Sequence, residues 1–247
     1  IKAGGGLAHP QLARHIADNC VENYEWLKKV GVQFKAVTFH GGHSVPRSHA
    51  VTNNSGSGFI NPMYKKCQEY GVPVQLRTIV DDLVVDDKGA VLGVKVRENY
   101  RFGRENSGKV AYYRATKGVL LAAGGLSQNV QMRMNHDPRL NEKFGSTNHP
   151  GATGDGITLS EKVGAAFVDM DQIQTHPTVV ESTGVMVTEA VRGNGAILVN
   201  TEGKRFCDEL GTRDYVSAEI LKQPTKHAFM FFDEDVRKSL KAIEGYV

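Results

Sequence analysis

Apolar residues recur at helical spacing from Pro10 onward. Leu12, Ile16, Cys20, Tyr24 and Leu27 fall on one stripe, which predicts a helix with a buried face, closed at Gly31. Pro10 suits the first turn of such a helix, where no partner is needed for a backbone N–H. Residues 1–9 (IKAGGGLAH) read as a loop. A second helix is predicted over 58–70, carrying Phe59, Met63 and Cys67 and stopped by Gly71. Between the two, the stretch from Thr38 to Gly58 is rich in Gly, Ser, His and Asn, too polar for a core.

The period then shortens. Residues 72–98 (VPVQLRTIVDDLVVDDKGAVLGVKVRE) predict strands joined at the Asp86-Asp87-Lys88-Gly89 turn. Residues 109–125 (KVAYYRATKGVLLAAGG) predict a further strand pair ending in the small residues Ala122, Ala123, Gly124 and Gly125. With no side chain in the way, such an end admits a flat ligand or another backbone; it also reads as a tight strand-to-helix turn. Thr153-Gly154-Asp155-Gly156 opens a helix with Ile157, Leu159 and Val163 on its apolar face. Backbone N–H groups at that start favour an anion or a polar ligand oxygen, whereas Asp155 also reads as a plain N-cap. Strands are predicted at VMVTEAV, AILVN and RFCDEL, then a helix over 214–222, a strand AFMFFD and a helix over 234–242. The alternation gives an α/β (α+β) fold class.

With 247 residues, 40% hydrophobic and 23% charged, the chain can bury a sizeable core as one large or two modest domains. A net charge of +3, with basic and acidic residues interspersed, argues against nucleic-acid binding. Cys20, Cys67 and Cys207 are far apart, which predicts reduced thiols and neither a metal cluster nor a disulfide framework. No apolar run is long enough for a transmembrane segment. Localisation stays open between a periplasmic and a cytoplasmic bacterial-type soluble protein. No G-x-G-x-x-G follows a strand, so the phosphate-cradling dinucleotide fingerprint is not in these residues.

The chemistry concentrates between Gln174 and Asp214. One His-Pro turn, one Thr-Glu-x-x-Arg run and one Thr-Arg-Asp turn fall there, separated by short apolar runs and glycine turns. Fixed cations, a hydroxyl, an imidazole and one coupling acid are what a carboxylate-binding, proton-moving site needs. Taken singly, each residue has a plainer reading: a turn histidine at 176, a strand threonine at 188, a surface ion pair of Glu189 and Arg192, a carboxylate-fixing arginine at 213.

Six strings in order, GGHSVPRSH, LLAAGGLSQN, GATGDGI, DMDQIQTHPT, VMVTEAVRGNGAILVNTEGKRF and ELGTRD, span about 41–214. Through them the chain resembles the flavoprotein subunits of fumarate reductase and succinate dehydrogenase. It is most similar to the soluble flavocytochrome c type and to relatives that reduce other enoates, such as urocanate reductase. The resemblance implies that residues 1–172 are the middle of an FAD-binding domain and 173–247 the start of an inserted capping (clamp) domain. The N-terminal FAD-pyrophosphate strand and the C-terminal return would then lie outside this stretch.

By resemblance, non-covalent FAD supplies a hydride from N5 to the C=C bond of fumarate or a related unsaturated carboxylate. His176 and Thr188 would bind one carboxylate. Arg213 would donate the proton, with Glu189 and Arg192 as its relay, and Asp214 would either orient Arg213 or cap a helix. Asp155, Ala123, Gly124 and Val80 (or its neighbour Ile79) would contact FAD. His43, Arg47 and His49 lie in a segment that approaches flavin or substrate in relatives, without assigned roles. An electron-donor protein or domain is implied, and haem only in a domain outside this chain. The readings that stay open are urocanate or another acrylate as substrate, and a non-catalytic piece without bound flavin.

Overall fold

The computed structural model describes residues 4–40 and 43–240. Helix α1 (Pro10–Val30) closes at Gly31, whose φ of 112° is left-handed and whose N–H reaches the Leu27 and Lys28 carbonyls. Its apolar stripe is not buried as predicted. Leu12 is 62% and Ile16 70% exposed, Cys20 is exposed, and only Tyr24 and Leu27 are half-covered. The reason is local: cover reaches only the last turns, where Tyr24 packs on Phe34 and His49, each with ring centroids 4.7 Å away.

Those two residues belong to a hairpin that the polar composition of 38–58 concealed, β1 (Phe34–Thr38) and β2 (Ser48–Val51), antiparallel with Val37 opposite His49. Gly41 and Gly42 of the GGHSVPRSH string lie outside the described residues. Helix α2 (Ser57–Glu69) follows as predicted. Strands β3 (Thr78–Val85), β4 (Val91–Glu98) and β5 (Lys109–Arg114) form an antiparallel meander. Asp86 Oδ1 accepts from Lys88 N–H at 2.9 Å and Ala90 N–H at 2.8 Å, which fixes the β3–β4 turn. Gly93 has to be glycine, since a Cβ there would lie 2.0 Å from the Tyr113 carbonyl oxygen across the β4–β5 ladder.

The second strand of the predicted 109–125 pair does not form. Residues 118–125 are extended or irregular, and Leu120 is 91% exposed. Its apolar composition suits a buried strand, but no neighbour among the described residues supplies the ladder bonds a strand needs. Helix α3 (Val130–His136) is capped by Asn129, whose side-chain oxygen accepts from Met132 N–H at 2.9 Å. Helix α4 (Asp155–Glu161) starts where predicted, with Leu159 buried, but stops short of Val163, which is 38% exposed.

After residue 173 two further predicted strands change character. VMVTEAV contributes only an isolated bridge between Met186 and Val179, then turns into the five-residue helix α5 (Glu189–Gly193). Thr188 adopts the extended cap geometry and Glu189 sits in the first turn, where a carboxylate complements the helix dipole. RFCDEL contributes one bridge, Arg205 to Val199. Strand β6 (Ile197–Val199) pairs antiparallel with β7 (Phe229–Phe231). Helices α6 (Arg213–Lys222) and α7 (Glu234–Ser239) complete the described chain; residues 241–242 of the last predicted helix lie outside it. Val187, Val191, Ala196 and Val236 form one core cluster, and Leu198, Val216 and Ile220 another. Both clusters anchor the helices that carry the polar groups described next.

Candidate active site

The His-Pro turn is set by Thr178, which is buried and donates its hydroxyl to the Val187 carbonyl at 2.8 Å. His176 Nδ1 lies 3.1 Å from the Thr178 carbonyl and 3.3 Å from its N–H, so the backbone orients the ring in either tautomer. Nε2 is thereby turned inward, 3.3 Å from Glu189 Oε1, buried and without hydrogen-bond alignment.

Glu189, at the start of α5, is the centre of the cluster. Its Oε1 also accepts from Arg213 Nε at the start of α6. Burial pushes the Glu189 carboxyl up, but His176, the local backbone N–H and Arg213 together hold it well below the usual carboxylate range. Arg213 Nη1 donates to Gln174 Oε1, while Nη2 makes no hydrogen bond among the described residues. The guanidinium is thus fixed on two sides and available on a third.

Arg192 lies one turn beyond Glu189 and is 1% exposed. Its Nη1 donates to the Glu209 carbonyl at 2.7 Å, whereas Nε and Nη2 are buried without partners. Burial lowers its pKa; Glu189 opposes that shift and the Arg213 charge adds to it. Thr188 is half-buried, and its hydroxyl makes no cap hydrogen bond. Two guanidiniums and an imidazole around one carboxylate leave positive charge for an anion and an acid able to pass a proton.

Among the described residues no hydrogen bond or ion pair joins Asp214 to Arg213. The Thr212 hydroxyl and the backbone N–H groups at the start of α6 hold the Asp214 carboxyl below its ordinary value, against burial. Burial lowers the His43 pKa, with Arg47 and His40, and the Glu189 charge opposes them, so His43 lies within electrostatic reach of the cluster. His49 is instead packed against Tyr24. Gln174 was missed as a site residue, although its i, i+2 spacing from His176 puts both on one face of an extended run. Glu209 was missed as well, with no sequence signal beyond an acid within a mixed run.

A second group of residues gathers around the two glycine turns. Gly154 N–H donates to the Gly125 carbonyl at 3.0 Å, and Asn129 Nδ2 to the Thr153 carbonyl at 3.0 Å. Arg133, buried, holds the intervening loop by donating to the carbonyls of Ser127, Asn141 and Phe144. A Cβ on Gly156 would lie 3.3 Å from that of Ala123, so the two turns are in contact. Gly124 has a φ of 78°, and a Cβ there would meet nothing within 4 Å. Asp155 is exposed, with Oδ1 accepting from the Thr153 hydroxyl at 2.7 Å. Helix α4 packs on β3, which carries Val80 opposite Val96, and Lys162 reaches Asp82 at 3.1 Å. Open backbone at Gly124 beside an exposed, oriented carboxylate fits a ligand with a flat ring and sugar or ribityl hydroxyls, as FAD has. Among the described residues, hydrogen bonds run within each group and not between the two.

Among the described residues no three His, Cys, Asp or Glu come together to hold a metal, and no helix is long and apolar enough to cross a membrane.

The FAD binding domain family matches residues 1–242. The whole chain is 40% identical to a fumarate reductase (cytochrome) of Shewanella frigidimarina, covering 42% of that protein. Over 95% of its length it is 38% identical to a urocanate reductase of Eggerthella lenta, covering 38% of it. The structure of the open conformation of a flavocytochrome c3 fumarate reductase superposes with a TM-score of 0.71 at 34% identity, over 93% of this chain and 39% of that one. The chain therefore spans about two fifths of the length of these relatives.

Proposed function

Because the chain belongs to the FAD binding domain family of the fumarate reductase and succinate dehydrogenase flavoproteins, we propose that the whole protein reduces the C=C bond of fumarate or a related unsaturated carboxylate. Residues 1–172 are read as part of the FAD-binding domain and 173–247 as part of a capping domain. The observation that carries this reading is that Glu189 Oε1 is shared by Arg213 and His176.

His176 and Thr188 bind one carboxylate of the substrate, the imidazole oriented by Thr178 and the hydroxyl uncommitted at the cap. Arg213, held by Glu189 and Gln174, presents its remaining nitrogen and delivers the proton. A guanidinium is a poor acid in water, with a pKa of roughly 12 or above. Desolvation and a coupled carboxylate make the transfer feasible. Glu189 returns a proton to Arg213, and Arg192, made more acidic by burial, resupplies Glu189. Asp155, Ala123, Gly124 and Val80 would hold FAD, which when bound would supply hydride-transfer chemistry for the other alkene carbon. The electrons come from a donor protein or domain outside these residues.

Reduced-dye oxidation by the full-length protein, with fumarate, urocanate and acrylate offered separately, tests the reading. Turnover with at least one acid is expected, together with loss of about 10²-fold or more in an Arg213→Ala variant. A fully active Arg213→Ala enzyme would remove the proton-donor assignment. A single carboxylate site built from His176 and Thr188 serves an acrylate as well as a dicarboxylate, and the relative at 38% identity is a urocanate reductase; preference for urocanate in the panel would select that substrate. Full-length protein without a flavin absorbance band would favour a non-catalytic role.

A further inference from the structure

Glu209 is a buried acid that the proposed relay does not use. It is 3% exposed and sits in the loop between β6 and α6. Its Oε1 accepts from Leu198 N–H at 3.0 Å and from Arg205 Nε at 2.9 Å, and its Oε2 accepts from Arg205 Nη2 at 2.7 Å. Three charge-assisted or backbone contacts of this kind keep a carboxylate ionised. Burial pushes the Glu209 carboxyl up, but Arg205 and the Leu198 N–H bring it below its ordinary value. The same residue's carbonyl takes Arg192 Nη1 at 2.7 Å, the one hydrogen bond of that guanidinium among the described residues.

We propose that Glu209 is a positioning residue for Arg192: its carbonyl fixes the buried guanidinium, and its carboxylate, clamped by Arg205 and the Leu198 N–H, sets a fixed negative charge on the same residue. This rests on the relay reading above. The ionisable groups facing Arg192 are Glu189 on α5, Arg213 on α6, and Cys207 and Glu209 in the loop. Burial pushes the Cys207 thiol up to about 11, so it is neutral below that pH. Glu189 is already engaged by Arg213 and His176. Among the described groups facing Arg192, Glu209 is therefore the carboxylate that the proposed relay leaves unused. Arg205, its partner, is 60% exposed at the side chain and forms the outer end of the arrangement.

The test is the pH dependence of kcat for fumarate reduction by the full-length, flavin-loaded enzyme. Glu209→Gln keeps the shape and the Leu198 bond but removes the charge. Arg192 then gives up its proton more readily, and the alkaline limb of the profile is expected to move down by about one pH unit. Glu209→Asp, which retains the charge, is expected to keep the limb near its wild-type position. Where Glu209→Gln folds poorly, Arg205→Gln is the second variant: it leaves the Glu209 carboxylate without its counter-charge, and the alkaline limb is expected to move up. An unmoved limb in a folded, flavin-loaded variant that has lost one of these two charges, whatever its thermal stability, overturns the proposal and leaves Glu209 a structural residue. If that happens while Arg213→Ala is inactive, only the role of Glu209 falls. If Arg213→Ala retains wild-type turnover, the relay itself falls.

Discussion

Glu189 stands 3.3 Å from His176 through the same carboxylate oxygen that accepts from Arg213 Nε. One acid therefore stands against both the residue proposed to bind the substrate carboxylate and the residue proposed to protonate the alkene. Replacing it affects both at once, but in unequal measure. Thr178 still holds the imidazole, whereas Arg213 keeps only Gln174.

Glu189→Gln preserves size and removes titration. In the full-length enzyme kcat is expected to fall by roughly 10²-fold or more, with a much smaller change in KM. Steady-state kinetics decide it; turnover within about threefold of wild type would exclude Glu189 from proton transfer.

The same carboxylate gives a stability signature. Its folded-state pKa is depressed, despite burial, by His176, backbone N–H and Arg213. An unfolded-state Glu titrates near 4.3. The contribution is therefore fully present above that pH and is lost as the pH falls below it toward the depressed value. Urea unfolding of wild type and Glu189→Gln at several pH values should show a stability difference that shrinks on acidification below about pH 4.3. A difference constant from neutral pH down to acid would contradict the depressed pKa.

Thr188→Val removes a hydroxyl that makes no cap bond, so helix α5 should persist. A hydrogen bond to a charged group contributes about 1.5–3 kcal/mol, equivalent to roughly 10–150-fold in kcat/KM, expressed mainly through KM. An unchanged KM for the preferred acid would withdraw the substrate-binding role.

At the glycine turn, Gly154 has a φ of 80°, and a Cβ there would lie 2.6 Å from Met132 Sδ. Gly154→Ala is expected to cost about 1–2 kcal/mol in backbone strain alone and to lower the flavin content of purified full-length protein. Thermal melting and the flavin-to-protein absorbance ratio measure the two effects. Wild-type flavin content in a destabilised variant would separate this turn from FAD.

Local chemistry made much of this legible. Pro10 and Gly31 bracket α1, and Asp86 with Gly89 marks the β3–β4 turn, because capping and turn geometry depend on a few adjacent residues. Glu189 and Arg192, three residues apart, share a face because α5 is helical, which the strand predicted at VMVTEAV does not provide. What stayed hidden depends on neighbours distant in sequence. The stripe of α1 and the apolar run at 118–125 have the composition of buried elements, but the described residues do not cover them. The hairpin β1–β2 was masked because His49 and Ser48 are polar, and its packing comes from Tyr24 and Phe34. Gln174 and Glu209 join the cluster through Arg213 and Arg192, contacts that no spacing rule encodes.

Helix α5, at five residues, is little more than a single turn. Successive residues on a helix are rotated by about 100°, so residues three apart remain neighbours. One amino acid inserted between Glu189 and Arg192 would swing the arginine away from the Glu209 carbonyl. Lengthening the exposed turn around Thr201 and Glu202 would leave that angle untouched. This short coil therefore tolerates a change in length less well than that turn does, whatever sequence occupies its outer side.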